Sequence, residues 1–140
     1  MLVRLLYASR ATDTRPEAID AILAQSRQHN PECGITGILC YGGGIFLQAI
    51  EGGRMAVSEL YGHIQHDARH KEVVLLHYEE ITERRFGGWT MGQVNMSKIN
   101  ATILLKYAER PVLDPYAVSG KVSLALLEEL MATASIIGRA

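Results

Sequence analysis

The stretch FLQAIEG, residues 46–52, decides the fold of this chain, together with LLYASR at 5–10. Its alternation of side chains is typical of a β-strand, in which Phe46, Gln48 and Ile50 share one face. An amide between two large apolar side chains needs an explanation, because a buried polar group without partners costs about 1–3 kcal/mol. Gln48 therefore predicts polar partners on a face that is otherwise apolar.

Two other polar side chains fall on faces that are predicted to be apolar. In the strand LVRLLYAS at 2–9, Tyr7 shares a face with Val3 and Leu5. Asn30 continues the apolar stripe of the first predicted helix. Hydrogen bonds to other side chains of the core would explain each of these residues taken singly. Three polar groups aimed at one region between two helices favour a ligand slot with a polar edge.

The predicted elements follow the order β-α-β-β-α-β-β. Split βαβ units of this kind predict an α+β fold, a ferredoxin-like sheet with both helices on one face. The predicted strands lie at 2–9, 34–41, 45–52, 72–81 and 88–94, and the glycines 42–44 join the second to the third. The first helix begins at Thr14 as N-cap, has Pro16 and Glu17 in its first turn, and ends near Asn30 before Pro31. The second helix lies at about 54–69.

The predicted strands are apolar on both faces, so helices on one side alone would leave the other face in water. Two amphipathic segments of the tail, 97–110 and 119–138, are predicted to be helices that cover this second face. We therefore expect a ligand-binding domain at 1–97 and a C-terminal helical extension at 98–140 that packs on the sheet.

Length and composition indicate one globular domain and exclude several classes of protein. The chain has 140 residues, 48% of them apolar and 21% charged, and its net charge is −1. A nearly neutral chain does not favour nucleic acid as a direct partner. No apolar run approaches the ~20 residues of a membrane span. Cys33 and Cys40 lack paired spacing, which indicates reduced thiols and a cytoplasmic location.

Motifs for catalysis and metal binding are weak in this sequence. It contains no phosphate-binding loop and no nucleophile elbow, and its triple glycine lies in a hairpin loop rather than before a helix. His63, Asp67 and His70 fall on one helical face and could ligate zinc. A solvated helix end or an anion contact is the preferred interpretation, so no metal site is predicted.

Taken together, these segments resemble the BLUF domain, a flavin-binding sensor of blue light. The resemblance extends from about Leu2 to Val94. It rests on six segments in order, which are LLYASR, SRQHN, GITGILCY, FLQAIEG, HIQHDARH and RRFGGWTM. The tail at 98–140 is less diagnostic and resembles the helical extension of a short BLUF protein without an attached enzyme domain.

The resemblance implies that FAD binds non-covalently between the two helices, with its ring over the sheet. It also implies a photoactive switch made of Tyr7, Gln48, Met91 and Trp89, and we expect the last two to share one face of the fifth strand. The residues expected to bind the cofactor are Tyr7, Ile22, Ser26, Arg27, Asn30, Phe46, Gln48, Asp67, Arg69 and His70. No catalytic residue is implied, because such a protein is a photoreceptor and not an enzyme.

On this resemblance, light drives an electron and a proton from Tyr7 to the flavin, and their return leaves Gln48 in a second arrangement. An amide suits such a switch because it carries two donors and two acceptors that can exchange places. The expected product is a red-shifted signalling state, which strand five and the tail helices relay to an unidentified signalling protein. Neither nucleic acid nor a membrane is an expected direct partner. The formation of a homodimer is left as an open alternative.

Two other classes of protein share the predicted arrangement of elements. One is a small ferredoxin-like enzyme of the acylphosphatase type, although no anion-binding loop with an arginine follows the first strand. The other is a ligand-binding module without photochemistry, dimeric through a bare sheet face. Without the resemblance, the residues support only a ferredoxin-like ligand-binding domain.

Overall fold

A computed structural model describes residues 1–133 and 136–139 of the chain. The sheet has six strands in the order β4-β1-β3-β2-β5-β6. The elements are β1 (Leu2–Ala11), α1 (Pro16–Cys33), β2 (Thr36–Gly42), β3 (Ile45–Gly53), α2 (Arg54–His66), β4 (His70–Ile81), β5 (Trp89–Val94), a 3₁₀ turn (Met96–Lys98), α3 (Ala101–Tyr107), α4 (Gly120–Thr133) and β6 (Ile136–Arg139). The interleaved units β1-α1-β2 and β3-α2-β4 confirm the predicted α+β, ferredoxin-like fold.

α1 and α2 cover one face of the sheet, and alternate side chains of the central strands fill the space beneath them. Val3, Leu5 and Tyr7 of β1 belong to this core, as do Phe46 and Ile50 of β3. All five are nearly or completely buried. Burying one such side chain contributes about 1.5–3 kcal/mol, so these five residues together hold the sheet against the two helices.

α3 and α4 cover the opposite face of the sheet, as predicted. Leu6 and Leu47 of the central strands share a core with Leu104 of α3 and with Leu127 and Leu130 of α4. The two α4 leucines expose no surface. In the described part of the chain, the second face is therefore covered by these two helices.

The hairpin between β2 and β3 forms as the triple glycine predicts. Its loop consists of Gly43 and Gly44, both with positive φ angles, 58° and 79°. A two-residue loop with this geometry matches the right-handed twist of the strands it joins, and glycine adopts it without steric cost. The triple glycine is therefore a turn and not a phosphate cradle.

Both ends of α1 differ from the prediction. The N-cap is Arg15 rather than Thr14, because Asp13 Oδ1 accepts the backbone N–H of Arg15 at 3.0 Å, and the predicted capping box does not form. The helix continues through Pro31 and is closed by Gly34 in the left-handed conformation, with φ 67°. A proline in the last turn removes only one backbone hydrogen bond, so the glycine and not the proline ends the helix.

The tail is less helical than predicted. The helix expected at 97–110 is reduced to α3, and the helix expected at 119–138 ends with α4. Residues 136–139 instead form β6, which pairs antiparallel with β5. The two isoleucines that open this strand are β-branched, and such residues favour strands over helices. Residues 134, 135 and 140 of the predicted extension lie outside the described residues.

Candidate functional site

Tyr7 and Gln48 meet because β1 and β3 are antiparallel neighbours. The two residues are direct partners in the register, so their side chains stand on the same face of the sheet. The phenol O–H of Tyr7 donates a hydrogen bond to Oε1 of Gln48. Tyr7 is 1% exposed and Gln48 is 6% exposed. Tyr7 is therefore one of the partners that the amide in FLQAIEG requires.

The nitrogen of the same amide is directed at β5. Nε2 of Gln48 lies 3.0 Å from Sδ of Met91, which is completely buried. A thioether is only a weak acceptor, whereas the phenol is a good donor. Gln48 is therefore held firmly at its oxygen and loosely at its nitrogen, an arrangement that allows the amide to change partners at small cost.

Tyr7 is a protonated phenol at neutral pH. Burial raises the pKa of Tyr7 far above its ordinary value of 10.0, and nearby Tyr61 and Asp67 raise it further. The physical cause is that buried surroundings solvate the phenolate poorly. The phenol O–H is therefore retained, and Gln48 Oε1 is the group that accepts its hydrogen bond.

The Tyr7–Gln48 pair lies in an open cleft between α1 and α2, whose empty space is about 640 Å³ with the adjoining solvent included. Its lining residues are Tyr7, Ile22, Gln25, Ser26, His29, Asn30, Gln48, Leu60, His63, Ile64, Asp67, Arg69 and His70. Ile22, Leu60 and Ile64 supply apolar surface, and buried amides supply donors and acceptors. A flat aromatic ring with a polar edge suits this set of side chains, so the residues present fit a flavin.

Two side chains of α1 reach the backbone of β5. Nδ2 of Asn30 donates to the carbonyl oxygen of Thr90 at 3.0 Å, and Nε of Arg27 donates to that of Met91 at 3.1 Å. Asn30 is 2% exposed and lines the cleft, but Arg27 does not. Arg27, a predicted cofactor contact, thus donates a hydrogen bond to the strand beside the cleft.

His70 lies near the Tyr7 ring, with a distance of 6.3 Å between the two ring centroids, and it contacts Ser9. Its Nδ1 lies 2.8 Å from Oγ of Ser9, and its ring centroid lies 4.9 Å from that of Phe46. Burial lowers the pKa of the imidazole below its ordinary 6.5, and Arg69 adds to this effect while Asp67 opposes it. His70 is therefore a neutral group at neutral pH.

The turn after α2 places a charged pair at the cleft. α2 ends at His66 and not near residue 69 as predicted, since Asp67 Oδ1 accepts the backbone N–H of Arg69 at 2.9 Å. The Arg69 guanidinium also pairs with this carboxylate at 2.6 Å and donates to Gln25 Oε1 at 2.8 Å. The hydrogen bonds from Arg69 lower the pKa of Asp67, so the pair stays ionised and mutually neutralised.

Most of the predicted binding residues line the cleft. They are Tyr7, Ile22, Ser26, Asn30, Gln48, Asp67, Arg69 and His70. Phe46 packs beneath the cleft, and Arg27 lies beside β5. The sequence reasoning missed Gln25, His29, Leu60, His63 and Ile64. Helical spacing from Ile22 and Asp67 could have found them, because positions three and four apart share one face of a helix.

The expectation that Met91 and Trp89 share one face is wrong. Met91 belongs to the core beneath α1 and α2, whereas Trp89 lies with Phe86 in the core beneath α3 and α4. The pairing of β5 with β6 is irregular between Trp89 and Gln93, which breaks the simple alternation of faces. The indole lies against Gly92 so closely that a Cβ there would come within 2.8 Å of it.

Two absences are observed among residues 1–133 and 136–139. No group of three or more His, Cys, Asp or Glu side chains is arranged to hold a metal ion. The zinc candidates His63, Asp67 and His70 do line the cleft together, but Asp67 is engaged by Arg69. None of the helices in this described part is long and apolar enough to cross a membrane.

The fold and the cleft define a small α+β ligand-binding domain with a buried phenol–amide pair. A family model described as BLUF, sensors of blue-light using FAD, matches residues 2–92. The chain belongs to the BLUF family of flavin-binding blue-light sensors. This membership favours the photoreceptor interpretation over the acylphosphatase and non-photoactive alternatives.

Curated relatives carry the same domain as a minor part of longer chains. Photoactivated adenylate cyclase subunit beta of Euglena longa is 38% identical over 94 residues, which is 64% of this chain and 11% of that protein. The blue light- and temperature-regulated antirepressor BluF of Escherichia coli K12 is 34% identical over 88 residues, 62% of this chain and 22% of that protein.

Two solved structures match nearly the whole chain. BlrB, a BLUF protein in its dark state, has a TM-score of 0.74 and 39% identity, with 94% of this chain and 95% of BlrB covered. The photo-activated state of BlsA has a TM-score of 0.82 and 30% identity, with 96% and 99% covered. The likeness therefore extends beyond the matched family segment into the helical tail.

Proposed function

We propose that this protein senses blue light through FAD held non-covalently in the cleft, with Tyr7 and Gln48 as its switch. The observation that carries the proposal is the buried hydrogen bond from the Tyr7 phenol to Gln48 Oε1 within that cleft. FAD is the flavin that the family description names. Asn30, Ser26 and His70 supply polar contacts around the ring, and Ile22 supplies apolar contact.

The bound flavin would supply the absorption of blue light and the acceptor for an electron and a proton. Tyr7 is the donor, and its proton leaves along the existing hydrogen bond to Gln48. Once the electron and the proton have both returned to Tyr7, the Gln48 amide would have exchanged its N–H and C=O ends, which an amide can do because it carries both donors and acceptors. Gln48 would then present a different hydrogen-bonding group to the flavin. We therefore expect a small red shift of the flavin absorption, which decays in the dark.

The output passes, in this proposal, from β5 to the tail and then to another protein. The sensor would occupy residues 1–97 and the output extension residues 98–140. Two contacts favour this route, since β6 pairs with β5 and Arg85, in the loop before β5, forms an ion pair with Glu128 of α4. A protein partner is also what the antirepressor relative suggests.

One absorption experiment tests the proposal. The purified protein is supplemented with FAD, and its visible spectrum is recorded before and after blue illumination. We expect flavin absorption that shifts to longer wavelength and returns in the dark, and chromatography of the flavin released on denaturation should identify FAD. A protein that stays colourless, or a coloured one with no reversible shift, would contradict the proposal.

Two substitutions assign the switch. Gln48→Leu and Tyr7→Phe each remove one end of the hydrogen bond while keeping the cleft filled, so both variants should bind flavin and lose the normal red shift. Gln28→Leu, at an exposed position of α1, and Tyr78→Phe, at an exposed position of β4, are the matched controls. A normal photocycle in either switch variant would refute the assignment.

A further inference from the structure

The half of β5 that carries Met91 lies outside the registered pairs of the sheet. In the described residues, β2 pairs with β5 only at Gly92 and Gln93. β6 pairs with β5 at Trp89, Gln93 and Val94, with an irregularity between the first two. Thr90 and Met91 have no registered partner in either ladder. Contacts outside the two ladders therefore contribute to the position of Met91, the residue that Gln48 Nε2 faces.

Two side chains of α1 hold this segment in place of a strand. Asn30 donates to the Thr90 carbonyl and Arg27 to the Met91 carbonyl, at 3.0 and 3.1 Å. The two donors are three residues apart on the helix, hence on one face, and their acceptors are successive carbonyls. We name this pair of hydrogen bonds the α1–β5 clasp.

We propose that Arg27 is a positioning residue for the switch, acting through the Met91 backbone. The clasp fixes the Met91 main chain and so holds its flexible thioether against Nε2 of Gln48, 3.0 Å away. Asn30 serves both the clasp and the cleft, whereas Arg27 serves the clasp without lining the cleft. Arg27 is thus the residue whose removal tests the clasp separately from cofactor contact. The inference rests on the proposed Gln48 switch.

The expected effect of losing the clasp follows from the weakness of the contact between Met91 Sδ and Gln48 Nε2. A thioether attracts an amide N–H only at short range, and methionine has three rotatable bonds. Without the Arg27 hydrogen bond, Met91 is no longer fixed where Nε2 must return after illumination. The loss of one net hydrogen bond corresponds to about a fivefold change in a rate or an equilibrium, so dark recovery should slow by about fivefold.

The test uses the full flavin-loaded protein and three variants. Arg27→Met removes the donor. Arg27→Gln keeps an N–H donor at the same place along the side chain, since Nε2 of glutamine and Nε of arginine both follow Cδ. Gln28→Met makes a similar polar-to-apolar change at the exposed neighbouring position. The readouts are the dark-recovery rate after blue light and hydrogen–deuterium exchange of residues 89–91 in the dark.

We expect slower recovery and faster amide exchange at 89–91 in R27M, with R27Q and Q28M both within about twofold of wild type. Unchanged recovery and exchange in R27M, faster recovery, or an equal effect in R27Q would each overturn the inference. The absence of a red shift in the wild type would instead overturn the proposed function, and the exchange data would still decide whether Arg27 holds β5.

Discussion

At the scale of single residues, the amide of Gln48 has a physical reason to lie between Phe46 and Ile50. Its oxygen accepts from the Tyr7 phenol and its nitrogen faces Met91 Sδ, so neither end of the buried amide lacks a neighbour. The two contacts differ in strength, because the phenol is a strong donor and the thioether a weak acceptor. A group bonded in this unequal way is suited to switching rather than to holding the core together.

His70 gives a prediction about pH at the same scale. Its pKa is lowered in the folded protein, chiefly by burial, whereas an unfolded chain takes up a proton near the ordinary 6.5. The stabilising contribution is thus complete above about pH 6.5 and is lost as the pH falls, because only the unfolded state binds the proton. The free energy of unfolding should decrease between about pH 7.5 and 5.5.

Urea unfolding at several pH values measures this effect. A proton bound by the unfolded state alone changes stability by up to about 1.4 kcal/mol per pH unit. His70→Gln should flatten the dependence, whereas His66→Gln, at an exposed position of α2, should leave it intact. An identical slope in the wild type and in His70→Gln would show that another group is responsible.

At the scale of elements, the loop between β4 and β5 is held by a buried carboxylate. Glu51 of β3 exposes no surface and pairs with the buried guanidinium of Arg4 at 2.7 Å. The same carboxylate accepts the backbone N–H groups of Arg85 at 3.0 Å and Phe86 at 2.6 Å. The charged loop is therefore anchored to the central strand, and this anchor sets where β5 begins.

Replacement of Glu51 should cost more stability than replacement of a surface carboxylate. Glu51→Ala leaves the buried Arg4 charge short of a partner and two loop amides unsatisfied, and breaking a buried pair in this way costs about 3–5 kcal/mol. Glu80→Ala removes an exposed ion pair with Arg54, worth about 0–1 kcal/mol. Chemical denaturation of both variants gives the comparison, and equal losses would show that the anchor contributes little.

At the scale of the whole molecule, the sheet separates two cores that have different tasks. The core beneath α1 and α2 contains the cleft, and the core beneath α3 and α4 is apolar apart from single groups such as Ser123. Leu127 of α4 is completely buried in the second core. A change there should act on stability without touching the flavin environment.

Leu127→Ala should lower the free energy of unfolding by about 2–5 kcal/mol, the usual cost of a cavity in a packed core. The flavin absorption maximum in the dark should stay unchanged, since the substitution lies across the sheet from the cleft. Leu105→Ala, on α3 and 48% exposed, is the control and should cost well under about 1 kcal/mol. A shifted dark spectrum in Leu127→Ala would contradict the separation of the two cores.

Much of this protein follows from its sequence, because the relevant information is local. Alternation in LLYASR and FLQAIEG placed Tyr7 and Gln48 on an inward face, and two apolar tail segments predicted the covering of the second face. These inferences need only the periods of a strand and a helix. The resemblance added the flavin and the function, which periodicity does not contain.

Tertiary structure alone decided the rest, for the reason that pairing between elements depends on the whole chain. The antiparallel register made Tyr7 and Gln48 direct partners, and the irregular edge of β5 turned Trp89 away from Met91. A helix period could not show that Nε of Arg27 donates to a carbonyl of β5. Periodicity fixes the face on which a side chain stands, whereas packing fixes the group that it meets there.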